Sequence, residues 1–138
     1  MVYKSSSPQQ TEEIAAQFAK SLKGGTVVAF FGGLGMGKTA FVRGMAKGLE
    51  LEAEVSSPTF ALVHEYGGTP ALVHFDMYRV NGWEDLYSTG FFEYIDAGCI
   101  LAVEWSENIE AALPTEGTVR VTITAQGENA RCITIEEE

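Results

Sequence analysis

The apolar positions of this chain change period several times, and each change predicts an element. Between residues 7 and 22, Ile14, Phe18 and Leu22 recur at helical spacing together with Ala15 and Ala19. Ser7-Pro8-Gln9-Gln10 supplies a cap, a proline at the first helical position and a capping-box glutamine, with Thr11 as a competing cap. Gly24-Gly25 ends the helix. Residues 26–31, TVVAFF, are continuously apolar and β-branched at their start, which predicts a strand buried on both faces. After a glycine-rich loop, Thr39–Leu49 predicts a helix that turns Phe41, Val42, Met45, Ala46 and Leu49 inward.

The second half reads as shorter units. ALVHEY and ALVHFDMY predict a hairpin across the four-residue connection GGTP. Asn81–Tyr87 opens with an N-x-x-E capping signal and predicts a short helix, and GFFEYID a second helix or turn. ILAVEW predicts a buried strand ending in an acid, and Ser106 the cap of a helix that stops at Pro114. Residues 118–125 and 130–136 alternate around Gly127-Glu128-Asn129, giving a closing hairpin. Repeats and linkers are absent, so residues 1–138 read as one domain.

The glycine-rich loop carries the chemistry. From Gly32 to Gly37, Lys38 and Thr39, the stretch GGLGMGKT fits G-x-x-x-x-G-K-[ST], and it stands where that motif requires, between a buried strand and an amphipathic helix. Glycines 32, 35 and 37 let consecutive backbone N–H groups point into one concavity. The helix N-terminus adds its dipole. Lys38 is expected to reach the β- and γ-phosphates and the Thr39 hydroxyl to ligate Mg²⁺. A nucleoside triphosphate with magnesium is the expected ligand.

Charge narrows the class further. Nine Lys and Arg stand against nineteen Asp and Glu, a net charge of −10. Grip on nucleic acid needs a basic face, so autonomous DNA or RNA binding is not expected. Lys38, Arg43 and Lys47 cluster in and just after the loop, where a small anion would sit. No apolar run approaches the roughly 18 residues that span a bilayer. MVYKSSSPQQ has no h-region, and the expectation is a cytoplasmic protein with Cys99 and Cys132 as buried thiols.

A metal held by one hydroxyl and phosphate oxygens needs a carboxylate nearby. Two acids end apolar strands, Asp76 in HFDMYR and Glu104 in AVEW. Ligands of open α/β sheets bind beyond the carboxyl ends of parallel strands, where such acids project. SSPTF lies where small GTPases carry a mobile threonine that senses the γ-phosphate, and Thr59 could serve that role. The N-K-x-D reader of guanine is absent, so adenine is the expected base. His64 and His74 read as structural residues, Trp105 as core or as a flank of the nucleotide. The aromatic stretch of Trp83, Tyr87, Phe91, Phe92 and Tyr94 reads as mostly core with a partner surface in part, and Arg79 as the partner of a local acid.

GGLGMGKTAFVRGMAKGL, SSPTFALVHEY, HFDMYR, GFFEYID and VEW, in this order and spacing, resemble the TsaE (YjeE) family across nearly the whole chain. The resemblance implies an α/β fold of the P-loop NTPase kind: a mixed, mostly parallel sheet flanked by helices, with antiparallel hairpins. It implies ATP or ADP and Mg²⁺ as ligands and assembly with the TsaB–TsaD pair, which transfers threonylcarbamoyl to an adenosine of tRNAs reading ANN codons. It assigns phosphate contacts to Gly35, Met36, Gly37, Lys38, Thr39 and Ala40 and metal contacts to Thr39 and Glu104. Sensing of the nucleotide state falls to Thr59 and Asp76, and contacts flanking the adenine to Thr11 and Arg131. Two residues depart from the family pattern: Gly33, where an acid is usual, and Met36, where a small residue is usual. Neither removes a backbone donor, so loop rigidity and hydrolysis rate are what they bear on.

The resemblance also reconciles an acidic protein with tRNA modification, since partners would hold the tRNA while this chain supplies nucleotide-driven work. The expected function is a monomeric ATPase whose state drives or resets the transferase complex. Two alternatives are a nucleotide-sensing adaptor with incidental hydrolysis and a small-molecule kinase, although residues 80–98 contain none of the arginines a kinase lid uses.

Overall fold

Alternate residues of one strand face two different cores. In β2 (Val27–Phe31), Val28 and Phe30 pack with the helices α1 (Pro8–Ala19) and α2 (Lys38–Gly48), while Val27 and Ala29 pack on the opposite side of the sheet. All four are fully buried, which is why this segment is apolar at every position instead of every second one. The computed structural model describes residues 1–31, 37–51 and 63–137.

The remaining elements are β1 (Val2–Ser5), β3 (Val63–Gly68), β4 (Ala71–Asp76), α3 (Trp83–Ser88), α4 (Phe91–Asp96), β5 (Ile100–Glu104), a 3-10 segment (Ser106–Ala112), β6 (Thr118–Ala125) and β7 (Arg131–Glu137). The strands form one seven-stranded sheet in the order β1-β7-β6-β2-β5-β4-β3. β6, β2, β5 and β4 run parallel to their neighbours at the centre. β7 and β1 on one side and β3 on the other close the sheet with antiparallel pairs. This is the mixed α/β sheet expected, with its hairpins at the edges.

Packing of α1 on α2 depends on small residues. A Cβ on Gly44 would lie 2.3 Å from the Glu12 carbonyl oxygen, and one on Gly48 would lie 2.3 Å from that of Ala16. Ala15 and Ala19 of α1 are fully buried. The two helices therefore meet backbone against backbone, and this close approach holds Thr11 beside the first turn of α2.

Several local expectations are corrected. β1 was not expected: VYKS is an edge strand whose burial runs exposed, partial, exposed, buried, too short to show a period and specified by its pairing with β7. The hairpin turn is two residues, not four, because Gly68 pairs with Ala71. Gly67 and Gly68, at φ 81° and 98°, fit the register shift beside them. α3 has Gly82 and not Asn81 at its N-cap, and the Asp85 carboxylate accepts from the Asn81 N–H at 3.1 Å. Ser106 does not cap a helix; its hydroxyl donates back to the Val103 carbonyl at 2.9 Å. Cys99 and Cys132 are free and half-buried, where burial was expected.

Candidate functional site

The last glycine of the loop sets the entry to α2. Gly37 stands at the N-cap with φ 94° and ψ 13°, a left-handed conformation that costs a residue with a Cβ about 1–2 kcal/mol. Its carbonyl accepts from the Phe41 N–H at 3.0 Å. No side chain caps this N-terminus, so first-turn N–H groups keep the polarity that favours an anion. Lys38 opens the helix and is only 4% exposed. Its Nζ lies 5.5 Å from the centroid of the Trp105 ring. Thr39 is half-buried and Ala40 buried on the same turn. Gly35, Met36 and Thr59 lie outside the described residues.

The two strand-terminal acids are brought side by side. β4 and β5 are parallel neighbours, and Asp76 pairs with Glu104 in the register. Period-2 alternation puts both on the face that α1 and α2 cover, since Leu72 and Ala102 of the same parity belong to that core. The Asp76 Oδ1 accepts from the Tyr78 N–H at 2.9 Å, closing an Asx turn. The Met77 N–H donates to the Glu104 carbonyl at 3.0 Å. The Asn108 amide donates to the Met77 and Tyr78 carbonyls at 2.8 and 3.2 Å. Trp105 follows with φ 60° and ψ 40°, a rare conformation for so large a side chain. Its ring stands 4.9 Å from that of Tyr78.

Glu104 has a partner that the sequence reading set aside. Its Oε2 lies 2.8 Å from Nε2 of His74, whose side chain is fully buried. His74 sits two residues before Asp76 on the same face of β4, a spacing visible in HFDMYR, whereas its approach to Glu104 depends on the pairing of β4 with β5.

A third group gathers on the other side of α2. Ser7, Pro8, Thr11, Gly37, Ala40, Asn129 and Arg131 line a cavity of about 210 Å³. Thr11 is 2% exposed, and its hydroxyl meets that of Ser5 at 2.7 Å. Ser5 donates to the Ser7 carbonyl at 2.8 Å, so Thr11 is the donor to Ser5. The Arg131 guanidinium donates to the Ala130 carbonyl at 2.9 Å and the Gly127 carbonyl at 3.3 Å, which ties it to the closing hairpin. The residues expected to flank a base thus line one cavity beside the N-cap of α2. Ser7, Pro8 and Asn129 join them, and the sequence reading had used these only as cap and turn.

Other expectations shift. Arg43 and Lys47 do not add charge at the loop; both pair with Glu12 of α1, Arg43 at 3.5 Å. Lys47 is exposed and Arg43 half-buried, and such pairs near the surface contribute little. Arg79 is exposed and pairs with no acid among the described residues. Of the aromatic stretch, Phe91 is core, whereas Trp83 and Tyr87 are more than half exposed. Among the described residues no helix is long and apolar enough to cross a membrane.

Similarity to known proteins agrees with this architecture. The profile of the family described as "Threonylcarbamoyl adenosine biosynthesis protein TsaE" matches residues 5–133. A tRNA threonylcarbamoyladenosine biosynthesis protein TsaE from Treponema pallidum is 36% identical over 131 residues, covering 95% of this chain and 96% of that protein. The Bacillus subtilis TsaE is 38% identical over 128 residues, covering 92% of this chain and 79% of the relative. The crystal structure of YdiB from Bacillus subtilis superposes with a TM-score of 0.79 at 32% identity, covering 98% of this chain and 83% of that one. Matched along nearly its whole length in sequence and in fold, the chain belongs to the TsaE family of threonylcarbamoyl adenosine biosynthesis proteins.

Proposed function

We propose that this protein binds ATP with Mg²⁺ and hydrolyses it, and that its nucleotide state drives or resets a TsaB- and TsaD-like transferase complex that modifies tRNA. One observation carries the reading. A left-handed Gly37 opens α2 on Lys38 and Thr39, while Asp76 and Glu104 stand paired at the ends of neighbouring parallel strands, on the sheet face that α2 covers.

The donor set fits a magnesium nucleotide. First-turn N–H groups and the Lys38 ammonium supply positive polarity for phosphates, and Thr39 and Glu104 supply the hard oxygens that magnesium prefers. Among the described residues no three His, Cys, Asp or Glu side chains converge on one point. A divalent ion here would take its remaining ligands from phosphate oxygens and water, so its binding and the nucleotide's are coupled. When bound, the ion neutralises charge that develops on the phosphoryl oxygens. Lys38 orients the phosphates, and burial at 4% exposure keeps its charge poorly screened by solvent. Asp76, with one oxygen held in its Asx turn, is positioned to report on the phosphate end of the site.

Thr11, Ala40 and Arg131 around the adjoining cavity suit an adenine, with Thr11 held by Ser5 and Arg131 by the hairpin. A net charge of −10 opposes direct contact with tRNA, so partners would present the tRNA.

The test is a capture experiment in bacterial cytosol with immobilised protein and ATP or ADP, joined to single-turnover hydrolysis with and without the captured complex. TsaD- and TsaB-like proteins should be retained in a nucleotide-dependent manner, and the complex should accelerate hydrolysis. Nucleotide-dependent retention with hydrolysis unchanged by partners would leave only a nucleotide-sensing adaptor, and retention that ignores the nucleotide would overturn both readings.

A further inference from the structure

We propose that His74 is a positioning residue for Glu104, and that a hydrogen-bonded line from edge strand β3 through Tyr66 and His74 fixes the carboxylate for its work at the metal. The inference rests on the magnesium-nucleotide reading above and adds to it two residues outside the loop and the acids.

The line is built from three contacts. The His74 Nε2 lies 2.8 Å from the Glu104 Oε2. The Tyr66 hydroxyl lies 3.4 Å from Nδ1 of His74 and 3.5 Å from Nδ1 of His64. A carboxylate only accepts, so Nε2 of His74 carries a hydrogen and donates; in the tautomer that leaves Nδ1 bare, that atom accepts from the Tyr66 hydroxyl. His64, paired with His74 in the register of β3 and β4, donates in turn to Tyr66. Each group has one consistent role from the sheet edge to the acid.

Packing alone does not call for a histidine here. His74 is 0% exposed on a strand whose adjacent inward residue of the same parity is Leu72. A buried imidazole without partners would be costly, and an apolar side chain would fill the space at no such risk. What the histidine adds is a directed donor. It commits Oε2, and among the described residues Oε1 has no hydrogen-bond partner. Groups that hold a ligating carboxylate from behind typically change metal affinity about 10- to 100-fold when lost.

The experiment measures ADP binding to the full chain by calorimetry across a range of Mg²⁺ concentrations, with melting temperature recorded without nucleotide. His74→Phe removes the donor and keeps a ring; it should raise the Mg²⁺ concentration for half-maximal effect about 10- to 100-fold and leave metal-free ADP affinity unchanged. His74→Gln, which returns an N–H donor near the place of Nε2, should restore most of the Mg²⁺ response. Tyr66→Phe should shift it in the same direction by a smaller factor. A folded His74→Phe with the wild-type Mg²⁺ response overturns the inference, as does an equal loss of metal-free and metal-dependent binding. If His74→Phe does not fold, Tyr66→Phe decides, and an unchanged Mg²⁺ response then overturns the line. Wild-type ADP binding that ignores Mg²⁺ would sink the metal reading itself, a distinct result from a wild-type response that the variants leave intact.

Discussion

The ammonium of Lys38 lies 5.5 Å from the centroid of the Trp105 indole, and Trp105 reaches it through left-handed backbone at φ 60°. A residue in this conformation persists only where its surroundings over-determine it, and such residues concentrate at functional sites. Here the Tyr78 ring packs against the indole, and the Ser106 hydroxyl on the next residue donates back to the Val103 carbonyl. The strained step after Glu104 carries the indole over to the first turn of α2, so the acid and the lysine are linked through a single turn of chain.

Trp105→Ala should therefore weaken ATP binding by about 2- to 30-fold, the equivalent of a cation–π contact of 0.5–2 kcal/mol. Lys38→Met, which keeps the buried stem, should lose hydrolysis and most triphosphate affinity while melting near the wild-type temperature. Calorimetric affinities and thermal melts on both variants check this. Unchanged ATP affinity in Trp105→Ala would remove the indole from the site, and wild-type turnover in Lys38→Met would remove the loop assignment.

Glu104→Gln separates binding from turnover. The amide keeps an oxygen that can accept from His74 Nε2, so the side chain should stay in place while its charge is lost. Metal-free ATP affinity should persist, because loop amides and Lys38 do not involve the carboxylate, while the Mg²⁺ concentration for half-maximal effect should rise. Hydrolysis should fall about 10²- to 10³-fold, as when one preorganised electrostatic contact is removed. Single-turnover rates and melting temperature on the same protein decide the matter, and near-normal turnover would leave Asp76 as the remaining candidate acid.

The contact between α1 and α2 should tolerate almost no added volume. Gly44→Ala would drive a methyl group to within 2.3 Å of the Glu12 carbonyl oxygen, and backbone cannot yield as a side-chain tip does. The expected loss is about 1–3 kcal/mol, the usual cost of overpacking, and nucleotide affinity should fall with it as Thr11 moves from the first turn of α2. Gly127→Ala is the control, since its Cβ would lie 3.9 Å from that of Ala130. Denaturant melts that rank the two variants equally would contradict the packing argument.

If the cavity lined by Thr11, Ala40 and Arg131 holds an adenine, nucleotide choice should show in thermal stability. ATP with Mg²⁺ should raise the melting temperature, and GTP at the same concentration should raise it far less, because only a ligand bound to the folded state stabilises it. Arg131→Ala should narrow that difference, both by removing the guanidinium and by freeing the hairpin carbonyls it holds. Equal shifts with the two nucleotides would refute the adenine assignment.

Much of this protein was decided by sequence alone, because some signals are complete within a few residues. Continuous burial marked β2 and β5, helical spacing marked α1 and α2, and Gly37-Lys38-Thr39 between a strand and a helix named the chemistry expected at their junction. Ser7 as cap and Pro8 at the first turn were legible for the same reason, and Ser7 accepts from the Gln10 N–H at 3.1 Å. What the chain could not reveal locally is which distant residues share a face and how closely elements meet. The pairing of Asp76 with Glu104 required the order β2-β5-β4, and that order also turned His74 from a core histidine into the partner of an acid. The charges of Arg43 and Lys47, adjacent to the loop along the chain, point to Glu12 because α2 lies backbone to backbone on α1. The approach of Lys38 to the Trp105 ring depends on a left-handed residue that local patterning does not announce. Local patterns are encoded by period and turn chemistry, whereas register, sheet order and helix approach are set by packing between segments far apart in sequence.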